Sequence, residues 1–131
     1  MSYISQVHSQ AEGELVIRTV AMAAHTNFNG DIFGGWVMSQ MDMGAGIIAY
    51  RTSKNRVTTV AVDKIAFLNP VKVGDIISCY AKLLKIGNTS MQIKVEVWVL
   101  RKLTTDDIKV TEGIFTFVAI DEHGQPTPVK G

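Results

Sequence analysis

The run TNFNGDIFGGWVMSQMDMGAGIIAY, Thr26 to Tyr50, is a polar turn feeding an unusually apolar segment. Asn27, Asn29, Gly30 and Asp31 are turn formers and helix caps, and no proline interrupts Trp36 to Arg51. A helix is predicted over about 35–52. Its apolar residues surround the axis instead of forming one stripe, which predicts a helix wrapped by other structure. Asp42 stands in its middle. A carboxylate there is costly unless it is hydrogen-bonded, reaches a cleft or has a raised pKa, so Asp42 is the leading functional candidate. Gly34 and Gly35 precede it by eight and seven residues, close to two turns, or about 10 to 12 Å. The first amides of a helix lack internal acceptors and sit at its positive end. At glycines, with no Cβ to obstruct approach, they can bind an oxyanion. Amides and carboxylate are therefore expected to face one cavity.

Outward from this run, Leu15–Met22 reads as a strand rich in Val, Ile and Thr, and Arg56–Phe67 as a long strand closed by Asn69-Pro70. The apolar parity of that long strand changes from Val60 and Val62 to Ile65 and Phe67, which predicts either a bulge or burial on both faces. Strands follow over Ile76–Ile86, Met91–Arg101 and Val110–Ile120. Val73-Gly74-Asp75, Gly87-Asn88 and Glu122-His123-Gly124 read as turns, and 104–107 as a loop. In Met91–Arg101 the residues Met91, Ile93, Val95, Val97 and Val99 alternate with Gln92, Lys94 and Glu96, the pattern of a half-buried strand. The order favours an α+β fold, an antiparallel sheet of five to six strands around one central helix.

Asn29-Gly30-Asp31-Ile32-Phe33-Gly34-Gly35-Trp36, followed by Met38-Ser39-Gln40-Met41-Asp42, resembles the signature of YciA-type acyl-CoA thioesterases, bacterial hydrolases of the hotdog fold. The resemblance runs from about Glu14 to Pro128 and includes Val57-Thr58-Thr59-Val60, Phe67-Leu68-Asn69-Pro70-Val71, Val73-Gly74-Asp75 and Val95-Glu96-Val97-Trp98-Val99. It implies hydrolysis of acyl-CoA thioesters with Asp42 as acid-base or nucleophilic group, and a site flanked by the strand of Thr59 and Val60. It further implies a homodimer with active sites at its interface, and three such dimers in a hexamer.

The chain has 131 residues, 47% of them hydrophobic, enough for one domain, expected over 14–128 behind a mobile tail over 1–13. A formal net charge of +1 offers no strongly basic face for nucleic acid. The single cysteine, Cys79, excludes an intramolecular disulfide and suits a buried thiol in a cytoplasmic protein. The start of the chain lacks the basic and apolar blocks of a secretory signal, and the helix is too interrupted for a membrane span.

Asp31 is the rival carboxylate, an N-cap or a second polar group in the same cavity. Asn29 is a turn former first and a water-positioning group second. Asn27 reads as structural. Ser39, three residues before Asp42, faces the same side and is a candidate donor to its carboxylate. His8, His25 and His123 have no triad context, and neither a zinc spacing nor a phosphate-binding glycine loop is present, so no metal and no cofactor beyond the substrate's own coenzyme A is expected. The coenzyme's phosphates would call for Arg56, Lys85, Arg101 or Lys102, with Asn88, Thr89 and Ser90 supplying backbone donors. Solvated charges and a hairpin turn are the default readings of these residues. Two rival functions use the same residues: a hydratase or dehydratase of acyl thioesters, which usually wants a placed histidine, and an acyl-CoA-binding regulatory module.

Overall fold

The computed structural model describes residues 10–101 and 107–130. Five strands, β1 (Glu14–Val20), β2 (Arg56–Phe67), β3 (Ile76–Ile86), β4 (Ser90–Leu100) and β5 (Asp107–Ile120), form one sheet in the order β1-β3-β4-β5-β2. Every pairing is antiparallel. The helix α1 spans Gly34–Ser53 and lies on one face of this sheet. The expected α+β architecture is therefore present, with five strands. Of the tail expected over 1–13, residues 1–9 lie outside the described part, while Glu12 is ion-paired with Lys82 and Lys94.

Burial of Val37, Met41, Gly44, Ala45, Ile48 and Ala49 fixes α1 on the sheet. A Cβ added at Gly44 would come within 2.7 Å of Val16, so the helix reaches β1 only because this residue has no side chain. The opposite face of α1 is apolar and left open by the described residues: Met43, Ile47 and Tyr50, spaced four and three residues apart, are 52%, 41% and 60% exposed. At the C-terminus Lys54 turns left-handed, with φ 58, and its amide donates to the Tyr50 carbonyl at 2.8 Å.

The alternation of β4 holds on the helix side, where Met91, Ile93, Val95, Val97 and Val99 are wholly buried. On the other side the expectation of exposure fails beyond Gln92, because Glu96, Trp98 and Leu100 are buried too. The Glu96 carboxylate is offset by the Trp98 indole N–H at 2.9 Å and by the Lys94 and Lys109 ammonium groups at 3.7 and 3.8 Å. Asp107, Ile108 and Lys109 pair with Leu100, Val99 and Trp98, so the last strand starts three residues before the expected Val110; residues 104–106 of the expected loop lie outside the described part. The first strand ends at Val20, two residues before the expected Met22, as Ala21 turns to bond the Asp75 carbonyl.

β2 is an edge strand carrying two bulges, between Thr59 and Ala61 and between Asp63 and Ala66. The first comes earlier than the apolar pattern suggested. It leaves Val60 55% exposed at the edge, while Thr59 stays half-buried on the helix side.

Candidate active site

The loop before α1 is closed by its own backbone. The Asn27 amide donates to the Asp31 carbonyl at 2.6 Å, and the Asn27 side-chain oxygen accepts the Asn29 and Asp31 amides at 2.9 and 3.1 Å. Asn27 is structural, as its turn chemistry implied. Asp31 does not cap the helix: the capping position is Phe33, which offers no side-chain bond, and the Asp31 carboxylate is ion-paired with Lys72 instead. Asn29 is exposed, and its amide is the group the turn uses.

A cleft of about 340 Å³ opens at the helix N-terminus, lined by Asn27, Asp31, Gly34, Phe67 and Thr111, with Ile32, Val37, Leu68, Pro70 and Val71 supplying apolar wall. The Phe67 ring lies against Gly34, where an added Cβ would sit 3.2 Å from it. The far wall is tied in place by an ion pair whose carboxylate is buried and whose guanidinium is partly exposed. Asp75, 1% exposed, accepts the Lys72 amide and the Arg101 guanidinium, at 2.8 and 2.9 Å, and Arg101 also donates to the Pro70 carbonyl. The Asp75 carboxylate holds the Arg101 guanidinium above its ordinary pKa through this hydrogen bond.

Asp42 does not line that cleft. It sits half-buried farther along α1, where its Oδ1 accepts the Thr59 hydroxyl at 2.5 Å. The expected single cavity is thus divided in one chain, because successive glycines point about 100° apart. Gly34 turns to the cleft, whereas Gly35, two turns from Asp42, shares the azimuth of Asp42 and faces open space. Neither glycine amide makes a hydrogen bond among the described residues. Ser39 does not serve Asp42: its hydroxyl donates to the Trp36 carbonyl at 2.7 Å, the local bond that serine prefers in a helix.

The phosphate candidates are scattered. Arg56 reaches the Glu122 carbonyl at 3.5 Å, Arg101 is committed to Asp75, Lys85 is exposed, and Lys102 lies outside the described residues. In the β3–β4 turn the carbonyls of Asn88, Thr89 and Ser90 accept the amides of Val129, Ala119 and Gly87, and none of the three residues lines the cleft. His25 stacks on Trp36 with ring centroids 5.0 Å apart, which is packing and not a base beside Asp42. Burial pushes the Cys79 thiol up to about 12, so it is inert at neutral pH. Among the described residues no three of His, Cys, Asp and Glu gather as metal ligands, and no helix is long and apolar enough to cross a membrane. Sequence reasoning missed Lys72, Thr111 and the Asp75–Arg101 pair, whose partners are distant in the chain.

Residues 29–104, which include the whole helix and its half-buried carboxylate, match the model of the thioesterase superfamily, and the chain belongs to that family. Within it, YciA-type acyl-CoA thioester hydrolases are among the relatives, and the fold is the hotdog. The chain is 52% identical over 122 residues to the acyl-CoA thioester hydrolase YciA of Salmonella typhimurium, covering 90% of this chain and 91% of that one. Among solved structures, the hexameric thioesterase of Yersinia pestis is similar with a TM-score of 0.88 and 50% identity, covering 94% of this chain and 100% of that one. An acyl-CoA hydrolase of Staphylococcus aureus, solved with butyryl coenzyme A, coenzyme A and coenzyme A disulfide, has a TM-score of 0.81 and 30% identity, covering 88% of this chain and 70% of that one.

Proposed function

We propose that this acyl-CoA thioester hydrolase works through Asp42, as general base or as nucleophile, with helix N-terminal amides as the oxyanion site. The observation that carries this reading is the half-buried Asp42 carboxylate, whose one hydrogen-bond partner among the described residues is the neutral Thr59 hydroxyl. One oxygen is fixed by that bond and the other remains for chemistry. As a base, Asp42 takes a proton from water while the water oxygen adds to the thioester carbonyl. The resulting oxyanion is stabilised by a glycine amide, and collapse expels the coenzyme A thiolate, which takes the proton back. As a nucleophile, Asp42 forms a mixed anhydride and releases the same thiolate, and water then cleaves the anhydride. Both routes yield a free acid and coenzyme A without a metal or further cofactor.

The proposed assembly is a homodimer, with three dimers in a hexamer. β2 is the long edge, and joining two copies there continues the sheet and puts the Asp42–Thr59 pair near the seam. The outward stripe of Met43, Ile47 and Tyr50 supplies further apolar surface for contact between dimers. The cytoplasm, where acyl-CoA is used in fatty acid metabolism, is the proposed location.

Free-thiol release from a panel of acyl-CoAs tests the reading, with the wild-type chain and Asp42→Asn run side by side. Release by the wild type alone supports it. Tight acyl-CoA binding without release by either would favour the regulatory module instead.

A further inference from the structure

Thr111 stands in register between Phe67 of β2 and Val97 of β4, so the three side chains share the sheet face turned toward α1. It contributes to the cleft at the helix N-terminus. Its side chain is wholly buried, and Oγ1 has no hydrogen-bond partner among the described residues. A buried hydroxyl left unpaired is costly, and valine would fill the same space without the cost. Other polar groups of the cleft are taken up by the protein itself: the Asn27 side-chain oxygen accepts two backbone amides, the Asp31 carboxylate is paired with Lys72, and the Asn69 side-chain amide donates to the Lys109 carbonyl. The Gly34 amide, at the positive end of α1, also lacks an acceptor among the described residues.

An idle hydroxyl in a mainly apolar cleft fits a short acyl chain that carries an acceptor oxygen. We propose that Thr111 is a specificity-determining residue, whose hydroxyl bonds an oxygen substituent on an acyl chain lodged in this cleft, close to the thioester. The inference rests on the thioesterase reading, and it assigns the enzyme a preference for 3-hydroxyacyl or 3-oxoacyl thioesters over unsubstituted ones. The cleft, at about 340 Å³, is within the range of small-ligand sites.

The test is the ratio of kcat/KM for 3-hydroxybutyryl-CoA to that for butyryl-CoA, measured on the purified full-length protein, its Thr111→Val variant and its Thr111→Ser variant. The wild type is expected to favour the hydroxylated substrate by about five- to tenfold, the worth of one hydrogen bond, Thr111→Val to bring the ratio near one, and Thr111→Ser to keep it. A wild-type ratio near one, or a ratio that Thr111→Val leaves unchanged, overturns the proposal. Melting of Thr111→Val at or above the wild-type temperature excludes misfolding as the cause of a changed ratio. If the wild type releases thiol from neither substrate, the hydrolase reading fails separately. Calorimetric dissociation constants for the same two thioesters, compared between wild type and Thr111→Val, then decide the role of Thr111 by the same ratio.

Discussion

Asp31 and Asp42 flank the same helix N-terminus, one in the loop and one two turns along, yet their partners differ in kind. Asp31 meets the Lys72 ammonium, whereas Asp42 meets the Thr59 hydroxyl. A cation neutralises a carboxylate and fixes it, which suits an anchor between the entering loop and the segment after β2. A neutral donor orients a carboxylate and leaves its charge, which suits a base or nucleophile. The difference teaches that a carboxylate's role is set less by its nearness to a helix than by the charge of the group opposite.

Asp42→Asn should have the largest effect, a fall in kcat of about two to four orders of magnitude with the fold intact by circular dichroism. Turnover near the wild-type level would remove Asp42 from the chemistry and with it the contrast drawn above. Val60→Asp follows: it places a charge at the exposed β2 edge, and sedimentation should show a shift to smaller species with most of the activity lost. A fully assembled, active Val60→Asp protein would move the seam to another edge. Thr59→Val should lower kcat by about three- to tenfold, the cost of losing one orienting hydrogen bond. A change confined to KM would mean that Thr59 holds substrate and not Asp42.

Asp31→Asn is expected to cost less, under about threefold in kcat and under about 1 kcal/mol in stability, since its ion pair is partly exposed to water. If Asp31→Asn proved more damaging than Asp42→Asn in a stably folded protein, the two assignments would be exchanged. The smallest effect concerns Cys79. Burial raises its thiol from 9.0 to about 12, so iodoacetamide at pH 8 should leave it unlabelled and activity unchanged. Since the folded pKa is the higher one, the stabilisation linked to this group is present below pH 9 and is lost as pH rises toward 12. The Cys79→Ala variant should accordingly lose less of its melting temperature over that window than the wild type does.

The elements were legible because they depend on local pattern. Arg56–Phe67 and Ile76–Ile86 appear at the expected bounds, and the helix differs by one residue at each end. Asp42 stood out because one charge interrupts an apolar helix. What local pattern does not carry is the partner. Asp31 looked like a cap because its ammonium lies forty-one residues away, and Ser39 looked like a partner for Asp42 because helical spacing hides its bond to Trp36. Thr111 reads in sequence as an ordinary strand threonine. Only the register of β2, β4 and β5 places it in the cleft with its hydroxyl unmatched.

The two rims of the sheet are unequal, and the inequality has a bearing on how far assembly can run. β1 has seven residues and carries Glu14, which is engaged with Arg51, and Arg18, which is bonded to Ser78, whereas β2 has twelve. Both rims carry charged residues and β2 is bulged as well, so it is length that separates them: seven residues offer another strand few hydrogen bonds, and twelve offer more. If copies join at β2, each doublet ends in two unreceptive β1 rims, so growth along the hydrogen-bonding direction terminates after one addition. The chain would then be protected from running on into a fibre by the same asymmetry that lets it pair.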